Sequence, residues 1–139
     1  MVLQPFSIPE HIPKIKSGEK TQTTRKGIRD LKVGTWLQQY YRPRMKRGTC
    51  ANCIQDCELG SAECTKWTNY FGEVQVTSIK HYPYGLQELN KIEFDGWALC
   101  DGFESSEQAE EWFENQYGIG WRQIPMTVIR WDNSLRVIR

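Results

Sequence analysis

No stretch of this chain approaches the roughly 18 continuous apolar residues that a membrane helix needs, so no membrane span is expected. The first residues, Met1-Val2-Leu3-Gln4-Pro5-Phe6-Ser7-Ile8-Pro9, lack a basic leader, a long apolar core and a small-residue cleavage site, which argues against export. The expected setting is the cytoplasm, where thiols stay reduced. Histidine is nearly absent: His11 and His81 stand alone, and each reads as a surface or capped residue. No internal repeat or low-complexity tract is present, and 139 residues suit one domain with one core.

Net charge is almost missing as well, at +1, but that small sum hides a split. Residues 1–70 carry 12 Lys and Arg against 6 Asp and Glu, giving +6; residues 71–139 carry 6 against 11, giving −5. The positive charge gathers in Arg42-Pro43-Arg44-Met45-Lys46-Arg47, with Arg25-Lys26 upstream. A local positive field on a nearly neutral protein fits a polyanionic partner, and the plainer alternative is a solvated basic loop.

What is concentrated is cysteine. Cys50, Cys53, Cys57 and Cys64 follow the basic run with the spacing C-x2-C-x3-C-x6-C. Two disulfides would need an oxidising compartment, whereas four thiolates can close a tetrahedral zinc site, with a [4Fe-4S] cluster as the alternative. His81 would be the substitute fourth ligand if one cysteine stayed free. The expected role of the metal is structural: it folds a loop that cannot bury a core and so presents Arg42, Arg44, Lys46 and Arg47 rigidly. Cys100, in Trp97-Ala98-Leu99-Cys100, reads as a small core residue rather than a reactive thiol.

Local patterns predict the elements. Pro13 suits the first turn of a short helix running to Ser17, with Gly18 just past its end. Gly18 to Lys26 reads as a polar, Thr-rich turn. Trp36-Leu37-Gln38-Gln39-Tyr40-Tyr41 is β-prone and follows the Val33-Gly34 turn signal. Residues 42–65 show no period and read as a basic, cysteine-rich insertion. Glu73 to Thr77 alternates as a strand; Ile92 to Asp95 alternates too, but is too short to assign, and Trp97 to Cys100 continues it as buried or half-buried structure. Ser105 and Gln108 form a capping pattern ahead of Ala109, Trp112, Phe113 and Tyr117 at helical spacing, and Gly118 ends that helix. Thr127 to Trp131 and Leu135 to Ile138 read as strands joined by Asp132-Asn133-Ser134. Few helices and about five short strands give a small, mostly β barrel carrying helices.

The segment Ser17-Gly18-Glu19-Lys20-Thr21-Gln22-Thr23-Thr24-Arg25-Lys26 combines a sharp turn, cations and hydroxyls able to cradle a phosphate or hold a base edge. It resembles the G-x-K-x-x-T-x-R signature of the ASCH domain, a relative of the PUA RNA-binding domain, with Gly18, Lys20, Thr23 and Arg25 in register. Lys32 to Leu37 resembles that family's first strand region, Asp101-Gly102-Phe103 its acidic-Gly-Phe element, and Val128 to Trp131 its last core strand. The resemblance implies a single α+β domain over residues 1–139, a PUA-like mixed β-barrel with a few flanking helices and a Cys-rich inserted loop. It also implies a cleft between the Lys/Thr loop and the acidic element. Members similar to the bacterial N4-acetylcytidine amidohydrolase use a lysine, a threonine and a glutamate there, which map to Lys20, Thr23 and Asp101. A desolvated Lys20 could serve as base, Thr23 as nucleophile or oxyanion donor, and Asp101 as orienter. The aspartate is one methylene shorter than the family's glutamate. The plainer alternative is a Lys20–Asp101 ion pair holding the loop to the barrel.

Tyr40, Tyr41, Trp67, Tyr70, Tyr82 and Tyr84 could stack on bases, and Trp67 and Tyr70, close behind Cys64, are the better placed of them. The expected partner is RNA, single-stranded rather than duplex, or a nucleoside or nucleotide, held by Lys20, Arg25, Lys26, Arg42, Arg44, Lys46, Arg47 and Trp67. The rival class is an enzyme: an amidohydrolase of N4-acylated cytidine, or a ribonuclease.

Overall fold

In the computed structural model, residues 2–6, 8, 10–41 and 70–132 are described. Five strands and three helices organise them: β1 (Val2–Phe6), α1 (His11–Ser17), β2 (Gln22–Lys26), β3 (Trp36–Tyr41), β4 (Tyr70–Tyr82), α2 (Lys91–Cys100), α3 (Ser106–Tyr117) and β5 (Met126–Trp131). Short 3-10 turns precede α2 and follow α3. The strand order is β1-β3-β4-β5-β2. β1 runs parallel to β3, and every other neighbour is antiparallel.

β4 makes the sheet curl. It is 13 residues long, far longer than its neighbours, and it changes partner midway. Its first half pairs with β3 up to Gln75, opposite Trp36, and its second half pairs with β5 from Val76 to Tyr82. A register break between Val76 and Ser78 marks the bend, as expected of a bulge that increases local twist. Val76 is also gripped by the 32–35 turn, receiving Gly34 N–H at its carbonyl and donating its own N–H to Thr35. The result is an α+β fold, a curled half-barrel with α2 and α3 on its outer face and α1 packed on its inner one.

Because β5 is covered on both faces, it divides the core into two clusters. Met126 and Val128 join Tyr82, Leu86, Phe94, Trp97, Ala98, Phe103, Phe113 and Trp121 beneath α2 and α3. Ile129 and Trp131 join Ile15, Leu37, Val74 and Val76 inside the curl. The first cluster is aromatic, with Trp97 stacked against Phe94 at 5.2 Å and Phe113 against Trp121 at 5.0 Å between ring centres. Aromatic pairs of this kind are worth about 0.5–1.5 kcal/mol beyond the area they bury.

One local assignment is corrected, and one segment left open is resolved. Gln22–Lys26, expected as a turn, is a strand: Gln22, Thr23 and Thr24 are buried although none is apolar, so no hydrophobic period marks them. Ile92–Asp95 belongs to helix α2, announced by a capping box in which Asn90 and Glu93 each accept the other's backbone N–H. β1 was not foreseen; it is an edge strand, the position where a proline such as Pro5 is tolerated. The strand expected over Leu135–Ile138 and the insertion over 42–65 lie outside the described residues. Among the described residues no helix is long and apolar enough to cross a membrane.

Candidate functional site

The start of β2 is clamped from three sides. Gly18, at φ 88°, ends α1 and turns the chain back, so that Lys20 N–H reaches the Lys14 carbonyl at 3.0 Å. Thr21 then donates to the Cys100 carbonyl at the end of α2 (3.2 Å) and accepts from Trp131 N–H of β5 (2.9 Å). These bonds bring Lys20 beside Asp101, the residue that caps the C-terminus of α2.

Both members of this pair are buried, with 1 % of Lys20 and 4 % of Asp101 exposed. Lys20 Nζ donates to the Asp101 carbonyl and lies 3.9 Å from Asp101 Oδ2. Asp101 Oδ1 accepts from Thr24 Oγ1 at 3.0 Å and Gln22 Nε2 at 3.2 Å. The bonds continue outward. Trp97 Nε1 donates to Thr24 Oγ1 at 2.8 Å, Gln22 Nε2 to the Trp97 carbonyl at 2.9 Å, and Arg130 Nε to Gln22 Oε1 at 3.0 Å. Gly102 makes room for the lysine stem: at φ 100° it suits glycine, and a Cβ there would lie 2.8 Å from Lys20 Cδ and 3.2 Å from His11 Cδ2. Lys14 Nζ completes the surround at the Gly102 carbonyl, 2.8 Å away.

Burial shifts the titration of these groups. Desolvation pulls Lys20 down from 10.5 to about 8, against the opposing pull of the Asp101 charge. Desolvation raises Asp101, with Lys20 and the Thr24 and Gln22 hydrogen bonds working the other way. His11, edge-on to Phe103 and beside Lys20, is pushed down to about 3, first by burial and then by the nearby lysine charges. A lysine that changes charge near neutral pH can move a proton, which an exposed lysine cannot do there.

The structure thus joins two of the three residues expected to do chemistry and separates the third. Thr23 is opposite Ile129 in the ladder, so it lies on the other face of β2 from Gln22 and Thr24. Thr24 is the threonine that touches Asp101. Arg25 shares the face of Thr23, and its charge is felt by both Lys20 and Asp101. Lys26 is exposed, with its ammonium 5.7 Å from the Tyr117 ring centre. Tyr82 is buried in the aromatic cluster and Tyr84 is exposed. Arg42, Arg44, Lys46, Arg47, Trp67, Cys50, Cys53, Cys57 and Cys64 lie outside the described residues. Among the described residues no group of three or more His, Cys, Asp or Glu side chains is placed to hold a metal ion.

Gln22, Thr24, Trp97 and Arg130 were not anticipated as members of the site. The signal for the first two is the alternation Gln22-x-Thr24, visible once the segment is read as a strand. The other two reach the site through main-chain geometry that no short motif records.

No family model matches the chain, and no curated protein matches it. Two solved structures share its fold. One is protein EF3133 of Enterococcus faecalis V583, placed in DUF984, with a TM-score of 0.55, 9% identity, and coverage of 100% of this chain and 84% of that one. The other is a tyrosine-to-phenylalanine mutant of ZmASCH from Zymomonas mobilis, also at 0.55, with 16% identity over 99% of this chain and 73% of that one. The chain has the fold of an ASCH domain.

Proposed function

We propose that the protein binds RNA or a nucleotide, with the Lys20–Asp101 pair at the centre of the site and Thr23, Arg25 and Lys26 on the strand it leads into. The observation that carries this reading is the buried, perturbed lysine–aspartate pair, at the positions the ASCH resemblance assigns to its cleft, in a chain with that fold. A fully buried ion pair is a poor source of net stability. One whose lysine also titrates near neutrality is a recognised mark of a functional site. The basic residues Arg42, Arg44, Lys46 and Arg47 extend the anion-binding surface, and Cys50, Cys53, Cys57 and Cys64 hold zinc or a [4Fe-4S] cluster that stiffens it.

The test is fluorescence anisotropy with a short single-stranded RNA across a salt series. Binding is expected at low salt and should weaken as salt rises. Lys20→Met and Arg25→Gln should each weaken it, and Arg44→Ala and Arg47→Ala should also flatten its salt dependence. Absence of binding at low salt would remove the reading. Metal analysis on protein purified without oxygen decides between zinc and a cluster, and a protein with neither would take the metal out of the account.

One observation favours hydrolysis as a second reading: Lys20 sits at about 8, so a neutral amine is available as a base close to physiological pH. Incubation with N4-acetylcytidine should then release cytidine, and Lys20→Arg, which keeps the charge but cannot deprotonate, should abolish release. No cytidine from the unaltered protein would leave binding alone.

A further inference from the structure

A second feature lies on the outer face of the half-barrel, between the β4–β5 ladder and α2. It is a cleft of about 390 Å³, within the range of small-ligand sites. Its sheet side is formed by two adjacent rungs, Ser78 opposite Arg130 and Lys80 opposite Val128, and its helix side by Glu93, Gly96 and Trp97.

Three observations point to an anionic, flat ligand. First, Lys80 and Arg130 are diagonal neighbours on one face, and among the described residues neither makes an ion pair. Arg130 is also held in place, since its Nε donates to Gln22 Oε1. Second, the walls beneath these cations are apolar, with buried Trp97 and Val128 suited to a ring. Third, Gly96 sits mid-helix without a backbone or packing reason. It has no positive φ, and a Cβ there would meet nothing within 4 Å. A glycine in a helix interior costs about 1 kcal/mol relative to alanine. What its missing side chain does provide here is an open cleft.

We infer that this cleft holds one nucleotide, its phosphate between Lys80 and Arg130 and its base against Trp97 and Val128 over Gly96. Arginine and lysine together suit a phosphate. Glu93, with Oε1 taken by Asn90 N–H, keeps its second oxygen as an acceptor for a ribose hydroxyl or base amino group. The inference rests on the nucleotide reading above and adds a ligand cleft that borders the Lys20 network, sharing Trp97 and Arg130 with it. The nucleotide's source is either a free mononucleotide or one residue of a single strand.

The experiment is a calorimetric titration of the full chain with CMP, AMP and a short oligouridine RNA. It compares the unaltered protein with Gly96→Leu, Lys80→Ala and Lys20→Met. Gly96→Leu fills the cleft while improving helix propensity, so its thermal midpoint should hold or rise, and loss of binding cannot be assigned to unfolding. The expected result is mononucleotide binding weakened by at least ~tenfold in Gly96→Leu and Lys80→Ala, the scale of a lost charge-assisted contact. If RNA binding falls in parallel, the cleft takes a residue of the strand; if RNA is unaffected, it takes free nucleotide. RNA binding lost in Lys20→Met, with no change in any ligand for Gly96→Leu and Lys80→Ala, would overturn the cleft and leave the Lys20 site standing. No binding of any ligand to the unaltered protein would overturn both.

Discussion

Asp101 and Gln39 are both buried polar side chains, and the protein surrounds them in opposite ways. Asp101, at the seam between α2 and β2, has a lysine, a threonine and a glutamine directed at its carboxylate. Gln39 lies on the inner face of the curl, two residues from Leu37, fully buried, and among the described residues neither its Oε1 nor its Nε2 has a hydrogen-bond partner. Burying an amide without partners costs on the order of 1–3 kcal/mol in proteins. The seam is therefore a constructed polar site whose members constrain one another. The inner face packs Ile15, Leu37, Val74, Val76, Ile129 and Trp131, and among the described residues it leaves the Gln39 amide without a partner.

The largest effect expected from breaking this contrast comes from Asp101→Ala. It leaves the Lys20 ammonium buried without its anion and strips Thr24 and Gln22 of their acceptor, so urea melts should show a loss of about 3–5 kcal/mol. Gln39→Met, similar in shape and free of polar atoms, should move the other way by about 1–3 kcal/mol. A comparable loss there would mean that Gln39 has a role the contrast denies.

Stability against pH sharpens the picture. Lys20 holds its proton less tightly folded (about 8) than unfolded (10.5), so between those values the unfolded chain binds more protons and stability rises with pH. Lys20→Met should erase that rise. His11, about 3 folded against 6.5 unfolded, makes stability fall as pH drops from 6.5 toward 3. Asp101 has the opposite sign just above 3.8, because there the folded state holds the extra proton. His11→Phe should flatten the acid limb and expose that opposing slope. Each slope is at most about 1.36 kcal/mol per pH unit. The smallest expected change is Gly96→Ala, a gain of about 0.5–1 kcal/mol in thermal melts.

The parts of the fold that could be read from the residues were those with local chemistry of their own. Ser105 caps α3 as its spacing predicts, its hydroxyl accepting Gln108 N–H at 3.1 Å, though Gln108 returns its side chain to Glu104 N–H rather than to Ser105. Gly18 turns the chain where the pattern requires it, and Trp36–Tyr41 is a strand, as its aromatic-rich sequence favours. β2 escaped because Gln22, Thr23 and Thr24 are polar although buried, Gln22 and Thr24 through bonds to Asp101, so no apolar period marks the strand. α2 stayed open because Ile92 and Phe94 alternate over too few residues to choose between strand and helix, while Asn90 and Glu93 carried the better signal. Of the site, Lys20 and Asp101 were legible through a motif. That Thr24 and not Thr23 meets Asp101 depends on which face of β2 packs on α2, a tertiary fact with no local trace.

The most direct measurement is a nitrogen NMR titration of the Lys20 ammonium, recorded with and without a short single-stranded RNA. A midpoint near 8 that moves when RNA is added is the predicted result, since a buried lysine at the centre of an anion site must feel the ligand. A midpoint at the ordinary 10.5, unmoved by RNA, would contradict both the burial of the pair and its place at the centre of the site.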